Sequence, residues 1–167
     1  MLLPFAALVL IMFQSQADLL FPVHAVPPAG PLPAGAQRLQ VTTPDKHTLH
    51  GVYLPPVKEG IGPKLLLLGF GGNAWNGQEV ATYLHGVFPE AHVVAFHYRG
   101  YRPSTGSPSA HALMADAPLL FDEAVKRVQP DRTVVTGFST GSGTAASLSW
   151  QRELGGLVLV RPFLPLS

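Results

Sequence analysis

The sequence predicts an α/β fold: a mostly parallel sheet with flanking helices, opened by an antiparallel hairpin. Three observations carry that prediction. Aliphatic runs such as Lys64-Leu65-Leu66-Leu67-Leu68 and Gly156-Leu157-Val158-Leu159-Val160 lack polar alternation, so they read as strands buried on both faces of a sheet covered by helices. Segments with helical spacing alternate with these runs. Hydrophobic residues make up 47% of the chain and charged residues only 13%, enough apolar material for one real core in 167 residues.

The elements follow in order along the chain. Residues 1–13 are almost wholly apolar, and apolar character resumes at Leu19-Leu20-Phe21. The uninterrupted run is shorter than the ~18–20 residues of a spanning helix, so residues 1–21 read as a signal-peptide core or a short membrane anchor. The localisation this implies is membrane-anchored or exported, with a cytoplasmic domain packed on its own apolar helix as the other reading. Residues 22–36 carry Pro22, Pro27, Pro28, Gly30, Pro31, Pro33 and Gly35, which prevent a helix and mark a linker. The folded portion is then residues 37–167. Residues 37–43 and 48–54 form the hairpin around Thr43-Pro44-Asp45-Lys46-His47. Strands follow at residues 64–69, 92–98, 132–138 and 155–160. Helices are predicted over residues 77–86, 110–128 and 141–153. The second helix recurs through Leu113, Ala117, Leu120, Ala124 and Val128, with Pro118 placed to kink or split it. Strand and helix in strict alternation is the pattern of right-handed parallel crossovers. The last strand runs into the C-terminal residues with no helix behind it, so the architecture reads as incomplete at the C-terminus.

Composition also excludes. A net charge of +1 gives no electrostatic reason to expect a nucleic-acid partner. The chain has no cysteine, which rules out disulfides, thiolate catalysis and cysteine metal sites. His92 and His97 lack zinc-site spacing and a third ligand, so no metal is expected.

Gly137-Phe138-Ser139-Thr140-Gly141 is the sharpest motif, a G-x-S-x-G at the passage from a strand into a helix. A turn that tight holds Ser139 in a strained backbone region with its hydroxyl exposed, and Gly137 and Gly141 remove the side chains that would collide around it. The helix behind points free N–H groups at developing oxyanion charge. Its context gives the motif weight, since a Gly/Ser-rich loop closing a strand has the same letters. Gly69-Phe70-Gly71-Gly72-Asn73-Ala74 follows the Leu-rich strand. Its glycines Gly71 and Gly72 let the backbone approach a bound group. The same residues also match the dinucleotide fingerprint G-x-G-x-x-G/A, with His97, Tyr98 and Arg99 standing where that motif wants an acid. Arg99 or Arg102 meeting a 2′-phosphate keeps an NADP-binding oxidoreductase module as an alternative, and a non-catalytic α/β binding protein is another.

Taken with Tyr98-Arg99-Gly100-Tyr101 and Ser104-Thr105-Gly106-Ser107-Pro108-Ser109, these motifs resemble the alpha/beta-hydrolase superfamily, in particular its small membrane-anchored serine hydrolases. The resemblance covers roughly residues 37–163. It implies an alpha/beta-hydrolase-type sheet and a hydrolase of ester, thioester or amide bonds that needs no cofactor and takes a small-molecule acyl substrate. Ser139 would be the nucleophile, and Thr140 and Asn73 would supply oxyanion-hole N–H groups. Two positions depart from the family: Gly71, where a histidine is common, and the bulky Trp75.

The larger departure lies after the serine. The superfamily order is serine, acid, histidine, yet the only acid after Ser139 is Glu153, and all seven histidines precede it. The chain therefore resembles a C-terminally truncated hydrolase, expected to be inactive as it stands. His97, ending a strand, is the one upstream histidine considered as a substitute base.

Overall fold

The computed structural model describes residues 20–58 and 60–161. Six strands form one sheet in the order β1-β2-β4-β3-β5-β6, made of β1 (Gln37–Thr42), β2 (Thr48–Leu54), β3 (Leu65–Phe70), β4 (His92–Phe96), β5 (Arg132–Phe138) and β6 (Gly156–Val160). β1 pairs antiparallel with β2, and β2 with β4; the pairs β4–β3, β3–β5 and β5–β6 are parallel. Three helices connect the parallel strands: α1 (Gly77–Val87), α2 (Ala110–Val128) and α3 (Gly141–Ser149).

Each element starts for a local reason. Thr43 closes the hairpin by accepting from the His47 N–H at 2.9 Å, while Lys46 takes the left-handed conformation (φ 67°) that the turn needs. Asn76 caps α1 by accepting from the Glu79 N–H at 2.9 Å, and Glu79 returns the contact to the Asn76 N–H, a capping box. Ser109 caps α2, accepting from the Ala112 N–H at 3.0 Å. Pro118 lies within α2, which is assigned as one helix over all 19 residues rather than split. α3 is shorter than predicted, ending at Ser149.

The sheet buries both faces in its centre, as the aliphatic runs predict. Leu66, Leu68, Val94 and Val135 pack with Leu113, Ala117, Leu120 and Ala124 of α2 and with Ala145 and Leu148 of α3. On the other face Val52, Leu67, Val93 and Ala95 meet Val80, Ala81 and Leu84 of α1. β6 is the exception. Leu157, Val158, Leu159 and Val160 are 38–46% exposed although their sequence is that of a fully buried strand. Among the described residues β6 has a sheet partner on one side only, and its faces are left largely open.

Residues 22–36 lie against the domain. They begin in a 3-10 turn (Val23–Ala25), and two buried side chains of the α1 N-terminus hold them. Asn76 Nδ2 donates to the Pro27 carbonyl at 3.1 Å, and Gln78 Nε2 to the Gly30 carbonyl at 2.8 Å. Phe21 is buried in the main core. Apart from Leu20 and Phe21, the predicted targeting segment, residues 1–21, lies outside the described residues. No helix among those described is long and apolar enough to cross a membrane.

A partly buried ionic cluster joins the hairpin, the loop after β4 and α2. Arg99 donates from Nε and Nη2 to the two carboxylate oxygens of Asp116 at 2.7 and 2.8 Å, and from Nη1 and Nη2 to Asp45 at 2.5 and 3.0 Å. Arg99, then Thr43, hold the Asp45 carboxyl well below the usual carboxylate range. Removing one member of a buried pair strands the other charge, at a cost of about 3–5 kcal/mol. Asp116→Ala, which leaves Arg99 only the solvent-exposed Asp45, is expected to lower unfolding free energy by up to about that much in urea titration, whereas loss of the exposed Arg152–Asp122 pair should change it little.

Candidate active site

Parallel strands β4, β3 and β5 send their following loops to one edge of the sheet, and that brings the three sequence motifs together. Ser139 leaves β5 with φ 49°, a left-handed conformation that costs a non-glycine residue about 1–3 kcal/mol. Its side chain is exposed. Three contacts hold the turn. The Ser139 N–H donates to the Val160 carbonyl at 2.9 Å, the Ser142 N–H to the Ser139 carbonyl at 2.9 Å, and the buried Ser142 hydroxyl to the Gly137 carbonyl at 3.0 Å.

The glycines around Ser139 are required by contact. A Cβ on Gly141 would lie 2.4 Å from the Phe70 carbonyl oxygen and 2.5 Å from that of Gly71. One on Gly137 would lie 2.6 Å from the Gly141 carbonyl oxygen. The elbow is thus pressed against the end of β3. Gly72 sits beside the serine, its Cβ position 3.5 Å from the Ser139 Cβ. A Cβ on Gly71 would strike Val80 of α1 at 2.7 Å, which explains why no larger residue stands there.

Two tyrosines of the Tyr98-Arg99-Gly100-Tyr101 motif, to which the sequence reading gave no individual role, set the orientation of the glycine loop. Tyr98 donates its hydroxyl to the Gly71 carbonyl at 2.8 Å, and Tyr101 donates to the Asn73 carbonyl. Burial pushes the Tyr98 phenol up, and that of Tyr101 to about 12, so both remain protonated donors. Their spacing in Tyr98-Arg99-Gly100-Tyr101 was the available signal. With the carbonyls engaged, the N–H groups of Asn73 and Thr140 have no hydrogen-bond partner among the described residues. Thr140 begins α3 without a side-chain cap, so the helix N-terminus is open toward Ser139.

The other candidates separate from this cluster. Arg99 has its guanidinium committed to Asp116 and Asp45, which leaves none of it for a 2′-phosphate. Glu153 is exposed on the segment after α3. His97 follows β4, with β3 between it and β5. Its ring is buried, and its Nδ1 has no partner among the described residues. Burial first, then the charges of His50 and Arg38, lower its pKa to about 4. Those neighbours belong to β2 and β1, on the side away from Ser139, so His97 is not placed as its base. No cluster of three metal-ligating side chains occurs among the described residues.

Two of the cavities among the described residues flank the sheet. The larger, about 750 Å³, lies at the opposite edge among Lys64, Val87, Pro89 and His92. Ligands of open α/β sheets bind at the carboxyl edge, and the cavity there is smaller, about 210 Å³, with Thr140 and Gly143 in its wall.

A mostly parallel sheet with a strained serine turn between strand and helix defines an α/β hydrolase fold. No family model matches the sequence. An uncharacterized protein of Mycobacterium tuberculosis strain CDC 1551 is 35% identical over 150 residues, covering 84% of this chain and 53% of its own length. The lysophosphatidylserine lipase ABHD12 of Danio rerio is 40% identical over 57 residues, 34% of this chain and 15% of the lipase. The crystal structure of an alpha-beta hydrolase from Vibrio vulnificus superposes with a TM-score of 0.62 at 25% identity, covering 77% of this chain and 46% of that one. The chain belongs to the alpha/beta-hydrolase superfamily. It spans about half the length (53%) of the mycobacterial relative.

His97 makes stability depend on pH in a defined window. Its folded pKa, about 4, lies below the ordinary 6.5, so the unfolded chain binds more protons between those values. Stability is expected to be full above pH ~6.5 and to fall as pH drops toward ~4. Thermal unfolding across that range should show the decline, and His97→Gln should flatten it; an equal slope in the variant would remove His97 as the cause.

Proposed function

We propose that the chain carries the nucleophilic half of a serine hydrolase that cleaves ester, thioester or amide bonds through an acyl-enzyme on Ser139. The observation that carries the proposal is the exposed Ser139 at φ 49°, beside Gly72 and at the open N-terminus of α3. Ser139 Oγ attacks the substrate carbonyl carbon while its proton passes to a histidine base. The N–H groups of Thr140 and Asn73 stabilise the oxyanion. Collapse expels the alcohol, thiol or amine with that proton, and water then releases the acid. No histidine follows Ser139 in these 167 residues, and Glu153 is the only acid that does. On their own, these residues are therefore proposed to turn over little. The NADP reading has lost Arg99 as its phosphate partner.

A fluorophosphonate probe, which reports activated serines, tests the proposal. The 167-residue chain should label slowly. A chimera extended with the C-terminal half of a relative that supplies an acid and a histidine should label rapidly. Ser139→Ala should abolish that labelling, whereas Ser142→Ala, which loses one hydrogen bond, should keep most of it. Gly72→Val should slow turnover by ~10²–10³, the usual cost of one lost oxyanion donor. A folded chimera that fails to label would favour a non-catalytic binding protein.

The sequence also supports membrane or export targeting by residues 1–21, ahead of the proline-rich segment 22–36 and the hydrolase portion 37–167. Because Phe21 is part of the core, the informative deletion is of residues 1–19. It should move the protein from the membrane to the supernatant fraction on centrifugation; equal partitioning with and without the segment would refute the assignment.

A further inference from the structure

The apolar N-terminal segment joins the domain at a fixed point. Residues 1–17 carry no charged side chain, and the first charge is Asp18. Soon after, Leu20 and Phe21 lie against the first turns of α2 and α3, beside Ala110, Met114 and Gly143. Phe21 is buried in the core, Val23 and Val26 pack on it, and Val23 comes within 3.6 Å of the Cβ position of Gly100. Further along, Asn76 holds the Pro27 carbonyl, and Gln78 those of Gly30 and Pro31. Residues 21–31 are thus fastened to the domain at both ends. Residues 1–19 therefore leave the domain from the carboxyl edge of the sheet, where Leu20 shares a cavity wall with Thr140, the neighbour of Ser139.

The surface around that exit is apolar and basic. Leu20 and Met114 are large apolar side chains left 44% and 38% exposed. Lys46 of the hairpin turn and Arg102 of the loop after β4 are exposed and form no ion pair among the described residues. The acids of this edge are engaged: Asp45 and Asp116 by Arg99, and Glu79 in the capping box of α1. Exposed acids such as Glu90, Asp131 and Glu153 lie at the opposite edge, ahead of β4, β5 and β6. A face with protruding apolar side chains and unpaired cations fits a bilayer surface that carries anionic headgroups.

We propose that the carboxyl edge of the sheet, with Ser139, is held against a lipid bilayer, and that the docked segment 20–31 sets this orientation. The proposal rests on the membrane-targeting reading of residues 1–21. A flexible linker would let the domain rotate beneath its anchor, whereas a docked one presents a single face to the membrane.

The chain has no cysteine, so single cysteines carrying an environment-sensitive fluorophore report position without background. Met114→Cys and Arg102→Cys sample the carboxyl edge, and Glu90→Cys and Glu153→Cys the opposite one; all of these side chains are exposed. With vesicles of phosphatidylcholine and phosphatidylserine, the full chain should float on a density gradient. Labels at the carboxyl edge should shift to the blue and be quenched by nitroxide-bearing lipid, while those at the opposite edge should do neither. A flexible Gly/Ser insert of about 20 residues between Leu19 and Leu20, spanning about 25 Å, leaves the docked segment intact. That variant should float equally and lose most of the contrast between the edges. Flotation with an equal response at both edges, or unchanged contrast after the insertion, would overturn the proposal alone. Failure to float would overturn it together with the targeting reading, and neither result bears on Ser139 as the acyl-transfer serine.

Discussion

The close approach of the serine turn to the end of β3 is the constraint on which the site depends. Gly141 lies so near the Phe70 and Gly71 carbonyls that no side chain fits between them. That contact fixes the distance between the first turn of α3 and the glycine loop. The strain of a serine at φ 49° persists because the surrounding contacts over-determine the turn: Val160 from β6, Ser142 from α3 and the packed end of β3.

A second tier of contacts aims the loop. Two buried phenols, Tyr98 and Tyr101, take up the carbonyl groups of Gly71 and Asn73. The stretch that bears these tyrosines is itself anchored by Arg99 through Asp116 on α2 and Asp45 in the hairpin. A single arginine thus couples the hairpin, the loop after β4 and α2, and through the flanking tyrosines it supports the loop beside Ser139. The interaction is structural in its energetics, since Arg99 is almost fully enclosed by its two carboxylate partners. It also helps determine which backbone groups of the glycine loop remain free.

Much of this was legible along the chain. The hairpin, the parallel alternation and the position of the serine turn follow from local rules: hydrophobic period, capping residues and the steric demand for Gly137 and Gly141. Those rules act over a few residues, so most strand and helix bounds agree closely with the observed ones, α3 excepted, which stops at Ser149. The exposure of β6 was not legible, because its aliphatic sequence states only what the strand could bury, not what covers it. The role of residues 22–36 was equally hidden. Prolines exclude a helix, but only the partners Asn76 and Gln78, some 47–49 positions away, keep the segment against the domain.

What the sequence by itself determined is the α/β architecture and the identity of Ser139 as the residue held at the strand-to-helix turn, since both rest on backbone sterics and short-range periodicity. Only the tertiary structure decided the fate of the side chains around it. Arg99, open to a phosphate on paper, is consumed by Asp45 from 54 residues away. His97, at the right edge of the sheet, sits among His50 and Arg38 with a depressed pKa. Tyr98 and Tyr101 gained a role, and Leu20 and Phe21 became the wall of a cavity. In each case the deciding quantity is which group lies within hydrogen-bonding or packing distance in space, and separation along the chain does not encode it.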